Sequence, residues 1–102
     1  MSYSIEITPQ ALNDIEAAYR WIANNLGTTF VKQWYQDLAK TIDSLNVFPN
    51  RCAIVHEADG FNAIVRQRQV GKYRILFMVE AETVKVFSVR HVCQQLFPID
   101  DE

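Results

Sequence analysis

VRQRQVGKYRILFMVE, residues 65–80, is the stretch on which the fold turns. With the residues just before it, the stretch gives NAIVRQRQV (62–70) and YRILFMVE (73–80), both carrying β-branched or aromatic residues, and Gly71 stands between them. It therefore reads as two strands joined by a tight turn, the first running over 62–70 and the second over 73–80. In the second strand Ile75, Phe77 and Val79 point to one face, and Leu76 and Met78 to the other. Apolar residues on both faces predict a central strand. Four cations, Arg66, Arg68, Lys72 and Arg74, surround the turn with no acid among them. Their arrangement depends on the loop. If Gly71-Lys72 is a two-residue loop, Val70 pairs with Tyr73 and Arg74 faces away from Arg66 and Arg68. A three-residue loop puts all three arginines on one face. The sequence leaves both open, because a slip of one residue reverses every side chain.

Working outward, TVKVFSVRHV (83–92) is a further strand, joined through the less typical turn Ala81-Glu82. CAIVHEA (52–58) is a weaker candidate, closed by Asp59-Gly60. Before Pro49 the period changes to that of helices. Leu12, Ile15, Tyr19, Ile22 and Leu26 form one apolar stripe, and Val31, Trp34, Leu38, Ile42 and Leu45 form a second. Thr8-Pro9 supplies a hydroxyl cap and a proline for the first helical turn. Gly27 is expected as a left-handed cap ending the first helix, and Thr28 or Thr29 as the cap of the second. So short a join makes the helices an antiparallel hairpin. Ahead of them, Tyr3, Ile5 and Ile7 alternate as in a half-buried strand. The predicted class is α+β: a strand, a two-helix hairpin, then a mainly antiparallel meander of three to four strands. Residues 1–102 are expected to form one domain, with Tyr19, Ile22, Leu38, Ile42, Phe77 and Phe87 in the core.

The composition narrows the functional classes. With 49% hydrophobic and 22% charged residues, the chain lies in the ordinary globular range. No apolar run approaches the ~18 residues of a membrane span, and MSYSIEITP lacks the features of an export signal. Cys52 and Cys93 are far apart in sequence, which fits a reducing cytoplasm better than a disulfide framework. His56 and His91 form no metal-ligand spacing, and no glycine-rich phosphate loop is present, so no metal or cofactor is expected. Residues 1–65 carry four Lys/Arg and seven Asp/Glu, and residues 66–102 carry six and five. A net charge of −2 is poorly suited to non-specific nucleic-acid binding. The basic stretch can still grip one phosphate or one acidic partner.

Two readings of that stretch compete. Arginines bind phosphate in a bidentate way and, with a general base, could promote attack by a ribose 2′-hydroxyl on its own phosphodiester. His91 or Glu57 could be that base. Alternatively the arginines pair with Glu57, Glu80 and Glu82 across strands, and His91 only ends a strand. On the residues alone the second reading is the commoner outcome.

In order and spacing, the chain resembles the RelE/ParE superfamily of toxins from bacterial type II toxin–antitoxin, or plasmid-stabilisation, systems. The resemblance runs through IEITPQALNDIEAAYRWI (5–22), LNVFPN (45–50), VRQRQVGKYRILFMVE (65–80) and VKVFSVRHV (84–92). It implies a cytoplasmic toxin neutralised by a co-encoded antitoxin, as a homodimer or a toxin–antitoxin heterotetramer. Two activities occur in such families: binding DNA gyrase without a conventional active site, and metal-free cleavage of mRNA on the ribosome. By position, Arg66, Arg74 and His91 match the family's functional residues and would be catalytic in a ribonuclease. Arg66, Arg68, Lys72, Arg74 and Arg90 would meet an anion or a partner. The chain departs from the ribonuclease pattern. No tyrosine follows Tyr73, Phe77 replaces the second tyrosine of a Tyr-Arg-x-x-Tyr pattern, and Val92-Cys93-Gln94-Gln95 replaces a basic ending. The gyrase-binding, ParE-like activity is therefore the expected one, ahead of an mRNA endoribonuclease and of a non-toxic interaction module.

Overall fold

The computed structural model describes residues 2–55 and 64–93. Strand β1 (Ser4–Ile7) leads into helix α1 (Pro9–Leu26), helix α2 (Thr28–Ser44) and a 3-10 turn at Pro49–Arg51. Strands β2 (Ala53–Ile54), β3 (Arg66–Val70), β4 (Tyr73–Glu80) and β5 (Thr83–His91) follow. They form one sheet in the order β1-β5-β4-β3-β2. β1 runs parallel to β5, and the other neighbours are antiparallel. The α+β class expected from the sequence is what folds.

Local chemistry explains the elements. Thr8 is extended, and its hydroxyl accepts from the Ala11 N–H at 3.2 Å, with Pro9 opening the helix. Gly27 joins the helices, but not as a left-handed cap. Its φ of 97° with ψ of 166° is open only to glycine. That conformation lets one residue end α1 and start α2, so neither Thr28 nor Thr29 serves as a cap. Gly71-Lys72 is a two-residue loop, with Val70 opposite Tyr73 and Gly71 at φ 58°. Ala81 occupies the equivalent position of the next turn with φ 54°, where a Cβ is strained.

The core lies between the helices and one sheet face. Val31, Trp34, Leu38, Ile42 and Leu45 of the second predicted stripe are all buried, against Ile75, Phe77, Val84, Val86 and Val89. The stripe of α1 is rotated from its predicted line. Ala11, Ala18 and Ile22 are buried, Ile15 and Tyr19 only partly, while Leu12 and Leu26 are 54% and 53% exposed. Alanines allow the close approach of helix to sheet, which a scan for large apolar residues misses. The opposite sheet face has its own cluster, Val55, Val65 and Leu76, with Met78 and Phe87 packed against it. Phe87, expected in the main core, alternates with Val86 and so packs on this cluster instead. The bulge in β5 then puts Ser88, opposite Leu76, on the same face and returns Val89 to the helix side. Of the weak 52–58 strand only Ala53–Ile54 forms, and the turn at Asp59-Gly60, with His56 and Glu57, lies outside the described residues.

Candidate functional site

The two-residue loop distributes the basic stretch over both faces of the sheet. Arg66 and Arg68 face Phe77 and Ile75 across the β3–β4 ladder, on the helix side. Arg74 lies opposite Gln69 and Arg90, on the other side. The three arginines therefore do not form a single patch. Lys72 is exposed in the turn.

Each predicted residue has a defined setting. Arg66 donates through Nη1 to the Cys52 carbonyl at 2.8 Å, tying the 3-10 turn to β3. Arg68 is exposed. Arg74 is only 8% exposed, and its Nη1 donates to Gln67 Oε1 at 3.2 Å. Arg90 donates through Nε to the Ser88 hydroxyl at 3.1 Å. His91 is half-buried on the helix side; its Nδ1 accepts from the Cys93 N–H at 3.1 Å, and its ring meets Tyr73 edge-on at 5.3 Å. His91 and Arg74 thus point to opposite faces of neighbouring strands. Arg66 shares the helix side with His91, but β4 lies between them and they stand at different levels of it, opposite Phe77 and Tyr73. These residues do not converge on one reacting group. Glu80 pairs with Lys85 at 3.6 Å rather than with an arginine among the described contacts.

A second assembly was not apparent from motifs. β1 covers β5 only as far as Val86, which leaves the edge of Ser88–His91 beside α1. Asp14 fills that gap. Its Oδ2 accepts from the Ser88 hydroxyl at 2.9 Å and from the Val89 N–H at 3.1 Å, and its Oδ1 accepts from Gln10 Nε2 at 2.9 Å. Ser88 in turn accepts from Arg90, so α1 sets the position of an arginine across the sheet. Next to Asp14 an open cleft of about 440 Å³ is lined by Ala17, Ala18, Trp21, Tyr73, Val89, His91 and Cys93. Burial raises the Tyr73 phenol above its ordinary value of 10.0. The sequence signal for this cleft was an acid placed between Ala11 and Ala18, on the buried half of α1.

The family described as "ParE toxin of type II toxin-antitoxin system, parDE" matches residues 5–96. The chain belongs to this toxin family. As a ParE-family protein it also has relatives of known structure. The chromosomal ParDE system of P. aeruginosa superposes with a TM-score of 0.72 at 17% identity, covering 88% of this chain and 96% of that one. The RelE–RelB complex of Pyrococcus horikoshii gives 0.63 at 15% identity, covering 92% and 99%. The RelBE2 toxin–antitoxin complex of Mycobacterium tuberculosis gives 0.57 at 18% identity, covering 89% and 99%. At such identities the likeness is one of fold. No curated protein matches the chain significantly. Among the described residues, no helix is long and apolar enough to cross a membrane.

Proposed function

We propose that this ParE-family chain is a cytoplasmic toxin that acts by binding its target, DNA gyrase, and is neutralised by a co-encoded antitoxin. One observation carries the choice against RNA cleavage: His91 and Arg74 stand on opposite faces of the sheet, with Arg66 spent on the Cys52 carbonyl. General-base cleavage needs a base and phosphate-binding cations around one phosphodiester. The net charge of −2 is a further disadvantage on the dense phosphate field of a ribosome. Binding makes no such demand.

The antitoxin surface follows from the exposed cations. Arg68 and Lys72 are solvent-facing and sit at one end of the sheet. On the opposite face the half-buried Arg90, beside the buried Arg74, adds charge next to Met78 and Phe87. A segment with apolar residues and acids matches that surface, folding as it binds. The relatives of known structure include toxins in complex with antitoxins, which supports such a partner.

The test is induction with and without the neighbouring gene, followed by two reactions of the purified chain. Growth arrest relieved by the neighbour, inhibition of gyrase supercoiling and intact mRNA on programmed ribosomes are expected. Ribosomal A-site cleavage that disappears in His91→Ala or Arg74→Ala would make the protein a ribonuclease. A chain that causes no arrest at all is an interaction module.

A further inference from the structure

The cleft beside α1 contains a carboxylate, Asp14, that makes no ion pair among the described residues. Asp14 is half-buried, and its three hydrogen-bond donors, Gln10, Ser88 and Val89 N–H, are all neutral. Among the described residues no Lys or Arg nitrogen lies within ion-pair distance of it. Arg90 Nε stops at the intervening Ser88 hydroxyl. A carboxylate offers about four lone-pair directions, so three donors leave it able to accept again.

The walls around this charge are aromatic. Trp21 lines the cleft while remaining 55% exposed, and Tyr73 lines it from the start of β4. Tyr73 is held by edge-on contacts with Trp34 and His91, both at 5.3 Å. Ala17 and Ala18 keep the α1 side open. A cation placed here would meet both the carboxylate and the faces of electron-rich rings, and the two attractions act in the same direction. A planar guanidinium also stacks on indole, which an ammonium cannot do. An anion would be repelled by Asp14, and a purely apolar group would leave its charge unused. At about 440 Å³ the cleft is of ligand-pocket size.

We propose that this cleft is a receptor for an arginine side chain of a protein partner, with Asp14 binding the guanidinium and Trp21 stacking on it. The proposal rests on the cleft alone and is independent of whether the chain acts on gyrase. Polypeptide is the fitting source, because exposed Trp21 in the cleft and the Ser88–His91 edge that β1 leaves uncovered offer surface beyond the cation itself.

The test titrates the full-length chain with N-acetyl-arginine amide, following Trp21 fluorescence and the nuclear magnetic resonance signals of Ala17 and Ala18. Saturable shifts at these residues are expected, with N-acetyl-citrulline amide giving none. Asp14→Asn should weaken arginine binding about tenfold. Equal binding of citrulline and arginine would overturn the proposal, as would unchanged affinity in Asp14→Asn. Because Asp14 also anchors β5, Trp21→Ala supplies an independent reading from an exposed position. Unchanged affinity in that folded variant would again sink the idea. Spermidine binding more tightly than the arginine amide would assign the cleft to a free polyamine and overturn the side-chain proposal.

Discussion

Asp14 shows how much one side chain can organise at the residue scale. It satisfies the Val89 N–H that β1 is too short to reach, and through Ser88 it sets Arg90. Replacing it with alanine leaves two donors at a half-buried edge, which should cost about 1–3 kcal/mol in urea denaturation. A loss near zero would mean that water replaces the carboxylate fully. Tyr73 carries a second prediction. Its phenol is raised by burial, so the folded chain holds that proton to higher pH than the unfolded chain does. Below pH ~10 the two states bind it equally and stability is unaffected. As pH rises past ~10 the unfolded state ionises first and stability falls, until the folded phenol ionises too. Titration of phenolate absorbance should show a phenol ionising above its ordinary value that is lost in Tyr73→Phe, and the same substitution should flatten the alkaline loss.

Elements are decided by which residues the helices and turns present. On α1, Ile22 is 2% exposed and Leu12 54%, although both belong to one apolar stripe in the sequence. Ile22→Ala should therefore cost ~2–5 kcal/mol, while Leu12→Ala stays within ~0.5 kcal/mol. Similar losses for both would contradict the rotation of α1 described above. The two hairpin turns offer a complementary case. Gly71 and Ala81 share a positive φ at the first loop position, but only the first is glycine. Ala81→Gly should relieve strain and raise stability by up to ~1 kcal/mol, an uncommon direction for a substitution to glycine. For Gly71→Ala, the nearest atom to the new Cβ is Trp34 Cδ1 at 3.9 Å, so its loss of ~1 kcal/mol would come from the backbone alone. Thermal denaturation of both variants checks the pair.

The whole molecule is a sheet whose central strand, β4, is covered by helices on one face and by the Val55–Val65–Leu76 cluster on the other. Amides of Ile75, Leu76 and Phe77 should exchange with solvent only through global unfolding, whereas those of the two-residue β2 exchange much earlier. At this scale the basic stretch also acquires its meaning. Reversal of Arg68 and Lys72 to Glu should weaken copurification with the antitoxin at low salt and make what binding remains less sensitive to added salt, without loss of folding, because both are exposed. The sequence by itself determined the elements whose pattern is local: the Thr8-Pro9 helix start, the α2 stripe, the apolar two-faced β4 and the order of strand, helix pair and meander. These follow from periodicity and capping, which depend on neighbours in the chain. It also carried the family, because the spacing of arginines, glycine and histidine is itself a linear pattern. Only the tertiary structure decided the faces. A two-residue loop at Gly71-Lys72 and a bulge at Phe87 each alter register by a single residue, and one residue reverses the side on which every following side chain stands. That is why Arg66 and Arg74 part, why Ser88 shares the face of Phe87 while Val89 returns to the helix side, and why Asp14, far from β5 in sequence, meets Ser88 at the sheet edge.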